Sequence, residues 1–139
     1  MITAVDTNVL IDVFAADSEF GTSSREHLRR CLQEGGLVAC DVVWAEVAAG
    51  FPHPQDADEV MERLGVRFIP LDNQAACAAG GAWRAHRERG GDRRRVIADF
   101  LIGAHAAQVA DRLLSRDRGF YRSAFAELAV VDPSRPGDT

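Results

Sequence analysis

The chain contains no lysine, and all 16 of its basic residues are arginine. That absence excludes two chemistries. A phosphate-binding P-loop sets a lysine on the nucleotide phosphates, and a Schiff-base enzyme sets a lysine amine on its carbonyl substrate. Cysteine is scarce as well. Cys31, Cys40 and Cys77 lack the short paired spacings of a zinc site, so they read as reduced, mostly buried small hydrophobes, in keeping with a cytoplasmic address. No apolar run approaches the ~18 residues needed to span a bilayer. Met1 leads into Ile2 without a basic stretch and an apolar signal core, so the chain is expected to stay where it is made, with no membrane partner. The histidines His27, His53, His86 and His105 show no ligand spacing. A net charge of −5 argues against a protein that coats nucleic acid non-specifically, while leaving room for a local basic patch.

What is present describes one soluble domain. The 139 residues, 47% hydrophobic and 27% charged, are enough to bury on the order of two-thirds of the unfolded chain's surface. Short apolar runs alternate with helical patterns. Strands are expected at Ile2 to Val5, Leu37 to Cys40, Val66 to Ile69, Arg112 to Leu114 and Ala129 to Val131. Helices are expected at about Asn8 to Ala15, Thr22 to Gln33 (capped by Ser23 or Ser24), after Asp41 as a cap, Gln55 to Leu64, from Asp72 or Asn73 to Ala85, Arg94 to Ala110, and Gly119 to Phe125. Strands joined through helices form crossovers, hence a largely parallel sheet of about five strands covered on both faces.

Four acids stand where an acid is hard to explain. Asp6 closes the apolar run Ile2-Thr3-Ala4-Val5, and Glu46 is the only charge between Val42 and Phe51. Asp99 is the one carboxylate between Val96 and Ala107, and Asp117 follows Leu113-Leu114-Ser115-Arg116. Ionised carboxylates are seldom buried unless paired, hydrogen-bonded or bound to metal. In open parallel sheets the ligand crevice lies beyond the carboxyl ends of the strands, so all four can face one crevice. Two carboxylates ~4 Å apart repel by roughly 4 kcal/mol at an effective dielectric of 20, and a hard divalent cation relieves that conflict. Each acid also has a plainer role open to it. Asp6 and Asn8 fit helix caps, Glu46 a solvent-facing position, Asp99 an ion pair with Arg94 or Arg95, and Asp117 a turn. Among the other acids, Asp12 reads as a solvated helix residue, and Asp92 and Asp111 sit among arginines. Arg84, Arg87, Arg89, Arg93, Arg94 and Arg95, with His86, form one dense basic patch around Gly90-Gly91, suited either to RNA phosphates or to solvent. Trp44, Trp83, Phe100 and Phe120 read as core or interface residues.

Asp6-Thr7-Asn8 after the first strand, Val42-Val43-Trp44-Ala45-Glu46-Val47, Ala98-Asp99-Phe100-Leu101-Ile102 and Leu114-Ser115-Arg116-Asp117-Arg118-Gly119-Phe120 occur in that order. Together they resemble a PIN-domain ribonuclease of the VapC toxin type, over nearly the whole chain. The resemblance implies an α/β/α sandwich, expected at residues 1–133, and the sequence after it reads as a flexible C-terminal tail at 134–139. It implies that Asp6, Glu46, Asp99 and Asp117 are catalytic and bind one or two Mg²⁺ or Mn²⁺ ions, with Thr7, Asn8 and Ser115 supporting them. Arg94, Arg95, Arg116 and Arg118 would then contact RNA. The implied partners are an RNA substrate such as transfer or ribosomal RNA, a VapB-type antitoxin and a second copy of the chain. Two other classes stay open. A haloacid-dehalogenase-like phosphoryl-transfer enzyme would use Asp6 as nucleophile, although Asn8 stands where its second carboxylate belongs. A non-catalytic module would keep the fold for partner binding alone.

Overall fold

The computed structural model describes residues 1–135 and residue 137. Among the described residues, five strands and seven helices alternate: β1 (Ile2–Val5), α1 (Thr7–Phe14), α2 (Gly21–Glu34), β2 (Gly36–Ala39), α3 (Asp41–Ala48), α4 (Asp56–Leu64), β3 (Val66–Phe68), α5 (Asn73–Glu88), α6 (Ile97–Val109), β4 (Arg112–Leu114), α7 (Arg118–Ala124) and β5 (Val130–Val131). The strands form a single sheet in the order β3-β2-β1-β4-β5, with every pairing parallel. The α/β/α architecture expected from the sequence is the one found.

The strand order reverses at β1. The first three strands add outward on one side of it, and the chain then crosses back through α5 and α6 to lay β4 on the other side, with Thr3 opposite both Leu37 and Arg112. Such a reversal leaves a crevice between the carboxyl ends of the two central strands. Here those ends carry Asp6 and Ser115. The central strands are buried on both faces through Ala4, Val5, Leu37, Val38, Leu113 and Leu114, which is why they read as continuous apolar runs rather than alternating ones.

Helix α6 buries Phe100, Ile102, Gly103, Ala104, His105 and Ala106. It packs closely on α5 through a small cluster in which Ala75 and Ala79 leave room for Phe100. Gly103 admits the Phe125 ring, whose nearest atom lies 2.3 Å from where a Cβ would stand. Asp72 caps α5 as expected, accepting from the Ala75 amide at 2.9 Å.

Several local expectations fail for identifiable reasons. Helix α2 begins at Gly21 rather than after a serine cap, because Asp17 takes the Glu19 and Phe20 amides and Ser24 turns inward to Asp12. Asp41 is the first residue of α3 rather than its cap, and its carboxylate accepts from the Leu71 amide. Helix α6 begins at Ile97 rather than Arg94. Asp92 closes a turn instead, with its side chain on the Arg94 amide and its carbonyl on the Arg95 amide, and side-chain bonds of this kind compete with helix. Cys31 and Cys40 are buried, but Cys77 is exposed. Asp111 takes the Ile2 amide. Of the tail expected at 134–139, positions 136, 138 and 139 lie outside the described residues, while Ser134 and Arg135 both bond to Asp132.

Candidate active site

Asp6 sits at the end of β1 and caps α1, because strand geometry continues through it (φ −78°, ψ 153°) and its carboxylate faces the first amides of the helix. Oδ1 accepts from the Thr7 amide at 2.7 Å, and Oδ2 accepts from the Ser115 hydroxyl at 2.7 Å. Asn8 reaches the same Oδ2 more weakly, at 3.4 Å, and its own carbonyl accepts from the Arg116 amide. The Tyr121 hydroxyl lies close enough to Asp6 to favour its ionised form. Burial pushes the Asp6 carboxyl up to about 6; the Ser115 and Thr7 bonds and the Tyr121 hydroxyl oppose that rise, and the nearby Asp117 charge adds to it. Buried Tyr121 is itself held well above the usual phenol range, first by burial and then by the Asp6 charge. Asp6 is thus a carboxylate whose ionised form is underserved by its own protein.

The other three acids come to the same place from separate elements. Glu46, exposed on the second turn of α3, accepts from the Thr7 hydroxyl at 2.7 Å, so one threonine links the first helix to the third. Asp99, on the first turn of α6, accepts from the Val96 amide at 3.2 Å, the backbone half of a capping interaction. Asp117 ends the β4 loop, with its amide on the Ser115 hydroxyl, and Arg95 grips both of its carboxylate oxygens. Asp6, Glu46, Asp99 and Asp117 line one open cleft of about 370 Å³, together with Thr7, Asn8 and Arg116. Asp6, Glu46 and Asp99 therefore do not point to separate regions of the molecule.

Among the described residues, no group of three or more acidic, histidine or cysteine side chains is gathered tightly enough to hold a metal ion. The hydrogen bonds give the reason. Each carboxylate has taken a donor within reach, with Thr7 on Glu46, the Val96 amide on Asp99 and Arg95 on Asp117. The donor set of the cleft is nonetheless all oxygen and net negative, which is the chemistry a hard divalent cation selects. The residues fit such an ion by type.

The arginines divide. Arg95 is committed to Asp117 and lies over the Phe120 ring at 4.2 Å, while Arg94 is exposed and forks onto Asp92. Arg118 opens α7 beside the cleft. Arg116 is bound on both sides of its guanidinium, with Nε on Asp12 at 2.7 Å, Nη2 on Asp12 at 2.9 Å, and its face over Phe20. Its partner corrects one expectation. Asp12 is 4% exposed rather than solvated, and it also accepts from Ser24. Tyr121, the only tyrosine in the chain, belongs to the site without any signal in the sequence pattern, since a helix seven residues long places it under Asp6. His105 is a core residue, bonded to the Ile69 carbonyl.

Residues 3–126 match the PIN domain family. Among curated proteins, none matches the sequence. Solved structures share the fold at low identity. VapBC2 from Rickettsia felis, bound to a DNA fragment from its promoter, superposes with a TM-score of 0.74 at 17% identity, covering 95% of this chain and 98% of that one. A toxin–antitoxin complex from Klebsiella pneumoniae gives 0.63 at 20%, with coverages of 94% and 97%. VapC20 from Mycobacterium tuberculosis, a sarcin–ricin loop cleaving toxin, gives 0.61 at 15%, with coverages of 91% and 98%.

Proposed function

Given that the chain belongs to the PIN-domain family, we propose that it is a metal-dependent endoribonuclease of the VapC kind, the toxin of a toxin–antitoxin pair acting in the cytoplasm. The observation that carries this reading is the meeting of Asp6, Glu46, Asp99 and Asp117, drawn from four segments of the chain, in one cleft at the strand-order reversal. These residues would hold one or two Mg²⁺ or Mn²⁺ ions. When bound, such an ion supplies a water acidic enough to attack and neutralises charge on the phosphate.

The protein's own part is positioning. The Thr7 amide and the Ser115 hydroxyl fix the plane of the Asp6 carboxylate, and the Thr7 hydroxyl holds Glu46 at the cleft wall. Asp99 projects from the first turn of α6, where the backbone amides favour an anion. A cleft this open suits a folded RNA, such as a transfer or ribosomal RNA, better than a small molecule held on all sides. VapC20, which shares the fold, is a sarcin–ricin loop cleaving toxin, and the Klebsiella neighbour is a toxin–antitoxin complex. The first supports a ribonuclease and the second an antitoxin partner; in this reading the toxin is a homodimer held in check by a small VapB-type antitoxin. A nucleophilic role for Asp6 in phosphoryl transfer fits less well. Both of its oxygens are already engaged, and Asn8 offers no acid two residues on.

Incubating the full-length protein with total RNA, with and without Mg²⁺ or Mn²⁺ and beside Asp99→Asn, tests this reading. Discrete metal-dependent cuts that Asp99→Asn abolishes are expected. Cleavage that persists in chelator, or at the parental rate in Asp99→Asn, overturns it.

A further inference from the structure

The larger hollow of this molecule is not the acidic cleft. A second depression of about 420 Å³ lies between the end of α5 and the loop that leads into α6, walled by Trp83, His86, Arg87, Gly91, Arg93 and Arg95. Its size falls within the roughly 300–1,000 Å³ of small-ligand sites.

Its floor is built rather than incidental. His86 is buried, bonds the Asp92 carbonyl at 2.9 Å and meets the Phe100 and Phe120 rings edge-on. A Cβ at Gly91 would fall 2.3 Å from that imidazole, so the loop seats on His86 only because position 91 has none. Gly90, at φ 71°, supplies the turn into it. One wall is a stack in which Trp83 lies against Phe100, ring centres 6.3 Å apart, and carries the Arg87 guanidinium 4.7 Å from its own ring centre.

The charge of the hollow is positive and unspent. Among the described residues Arg87 and Arg93 form no ion pair, whereas the acids nearby are committed, Asp92 to Arg94 and Glu88 to Arg84. The hollow also shares a wall with the acidic cleft, because Arg95 lines the first while gripping Asp117, which lines the second. An arginine plane lying on an aromatic ring, a second arginine in the wall and a border shared with the acidic cleft match the chemistry of a single nucleotide.

We propose that this hollow is a nucleotide subsite, taking one unstacked base of the RNA against Trp83 and Arg87 and its phosphate on Arg93, so that Arg95 leads the strand into the acidic cleft. The proposal rests on the ribonuclease reading for the identity of its ligand. It also gives Trp83, which the sequence pattern assigns to a core or an interface, a binding role.

The test is binding without cleavage. In chelator, full-length Trp44→Phe protein keeps Trp83 as its sole indole; a single-stranded RNA of about ten nucleotides should quench it, as should nucleoside monophosphates at higher concentration, while inorganic phosphate should not. Arg87→Gln with Arg93→Gln should weaken RNA binding roughly tenfold. It should also lower the salt slope of the affinity by about 0.7 for each phosphate the protein no longer neutralises, and leave Mn²⁺ affinity unchanged. The salt slope separates the removal of a phosphate-binding charge from a distorted fold. RNA that binds with no change in Trp83 emission, or a double variant with parental affinity and slope, overturns the subsite. So does a protein that binds neither RNA nor nucleotide. If RNA quenches Trp83 and the double variant weakens it, yet no metal induces cleavage, the subsite stands and the ribonuclease reading falls. If RNA is cut but Trp83 and the arginines are indifferent to it, the reverse holds.

Discussion

Arg95 holds Asp117 through both terminal nitrogens of its guanidinium while its flat face covers Phe120, so the most polar contact of the cleft rests on an aromatic ring. The loop that carries Arg95 lies outside α6, which frees it from the helical face it would have shared with Asp99 and lets it reach across 22 positions to the β4 loop. As a cation bound to a proposed metal ligand, Arg95 competes with the metal.

Arg95→Gln is therefore expected to bind Mn²⁺ more tightly than the parent, by about fivefold for a loss of roughly 1 kcal/mol of charge competition. Manganese titration followed by electron paramagnetic resonance checks this. An unchanged or weaker affinity would mean that Asp117 takes no part in holding the ion.

Asp6 makes the metal-free protein sensitive to pH in a defined direction. Its carboxyl rises from the 3.8 of an ordinary aspartate to about 6 on folding, so the folded state favours the protonated form. The stability this contributes is complete below pH 3.8 and is lost as pH climbs through 6. Compared with Asp6→Asn in chelator, the parent should lose about 3 kcal/mol between pH 4 and pH 7.5, from a shift of about two units at ~1.4 kcal/mol each. Added Mn²⁺ should restore the loss in the parent alone. Parallel stability curves for the two proteins would contradict the assignment of burial to Asp6.

The acids that end apolar runs were legible in the sequence because they break a local pattern. Asp6 after β1 and Asp117 after β4 interrupt hydrophobic stretches that the sheet buries on both faces, and a parallel sheet brings such ends together. The strands were legible for the same reason, to within a residue or two. What escaped was non-local. Nothing near Asp12 announces that it is buried, since its partner Arg116 lies 104 positions away and only the packing of α1 against the β4 loop joins them. The start of α6 escaped because Asp92 offers the backbone a turn that competes with a helix of high propensity.

The Asp12–Arg116 pair carries a stability prediction. Asp12 is nearly inaccessible and holds Nε, Nη2 and the Ser24 hydroxyl, so removing it strands a half-buried guanidinium. Breaking a buried pair by deleting one partner costs about 3–5 kcal/mol, and the partial exposure of Arg116 brings the expectation for Asp12→Ala to roughly 2–3 kcal/mol. Urea unfolding measures it. A loss below about 0.5 kcal/mol would show that Arg116 is held by its Phe20 contact instead.

Tyr121 separates a structural from a positioning role in the cleft. Its hydroxyl acts on Asp6 so as to favour the ionised carboxylate that a metal requires. Tyr121→Phe keeps the buried ring and its edge contact with Phe120, so the loss of stability should be about 1 kcal/mol, that of one hydroxyl's interaction. The informative readout is the pH dependence of Mn²⁺ affinity. Without the hydroxyl, burial acts on Asp6 with less opposition, and the acid limb of the binding curve should move to higher pH with the affinity at alkaline pH little changed. A uniform drop in affinity at every pH would assign Tyr121 to packing, because loss of the donor alone changes how easily Asp6 ionises and not how strongly the ionised form binds.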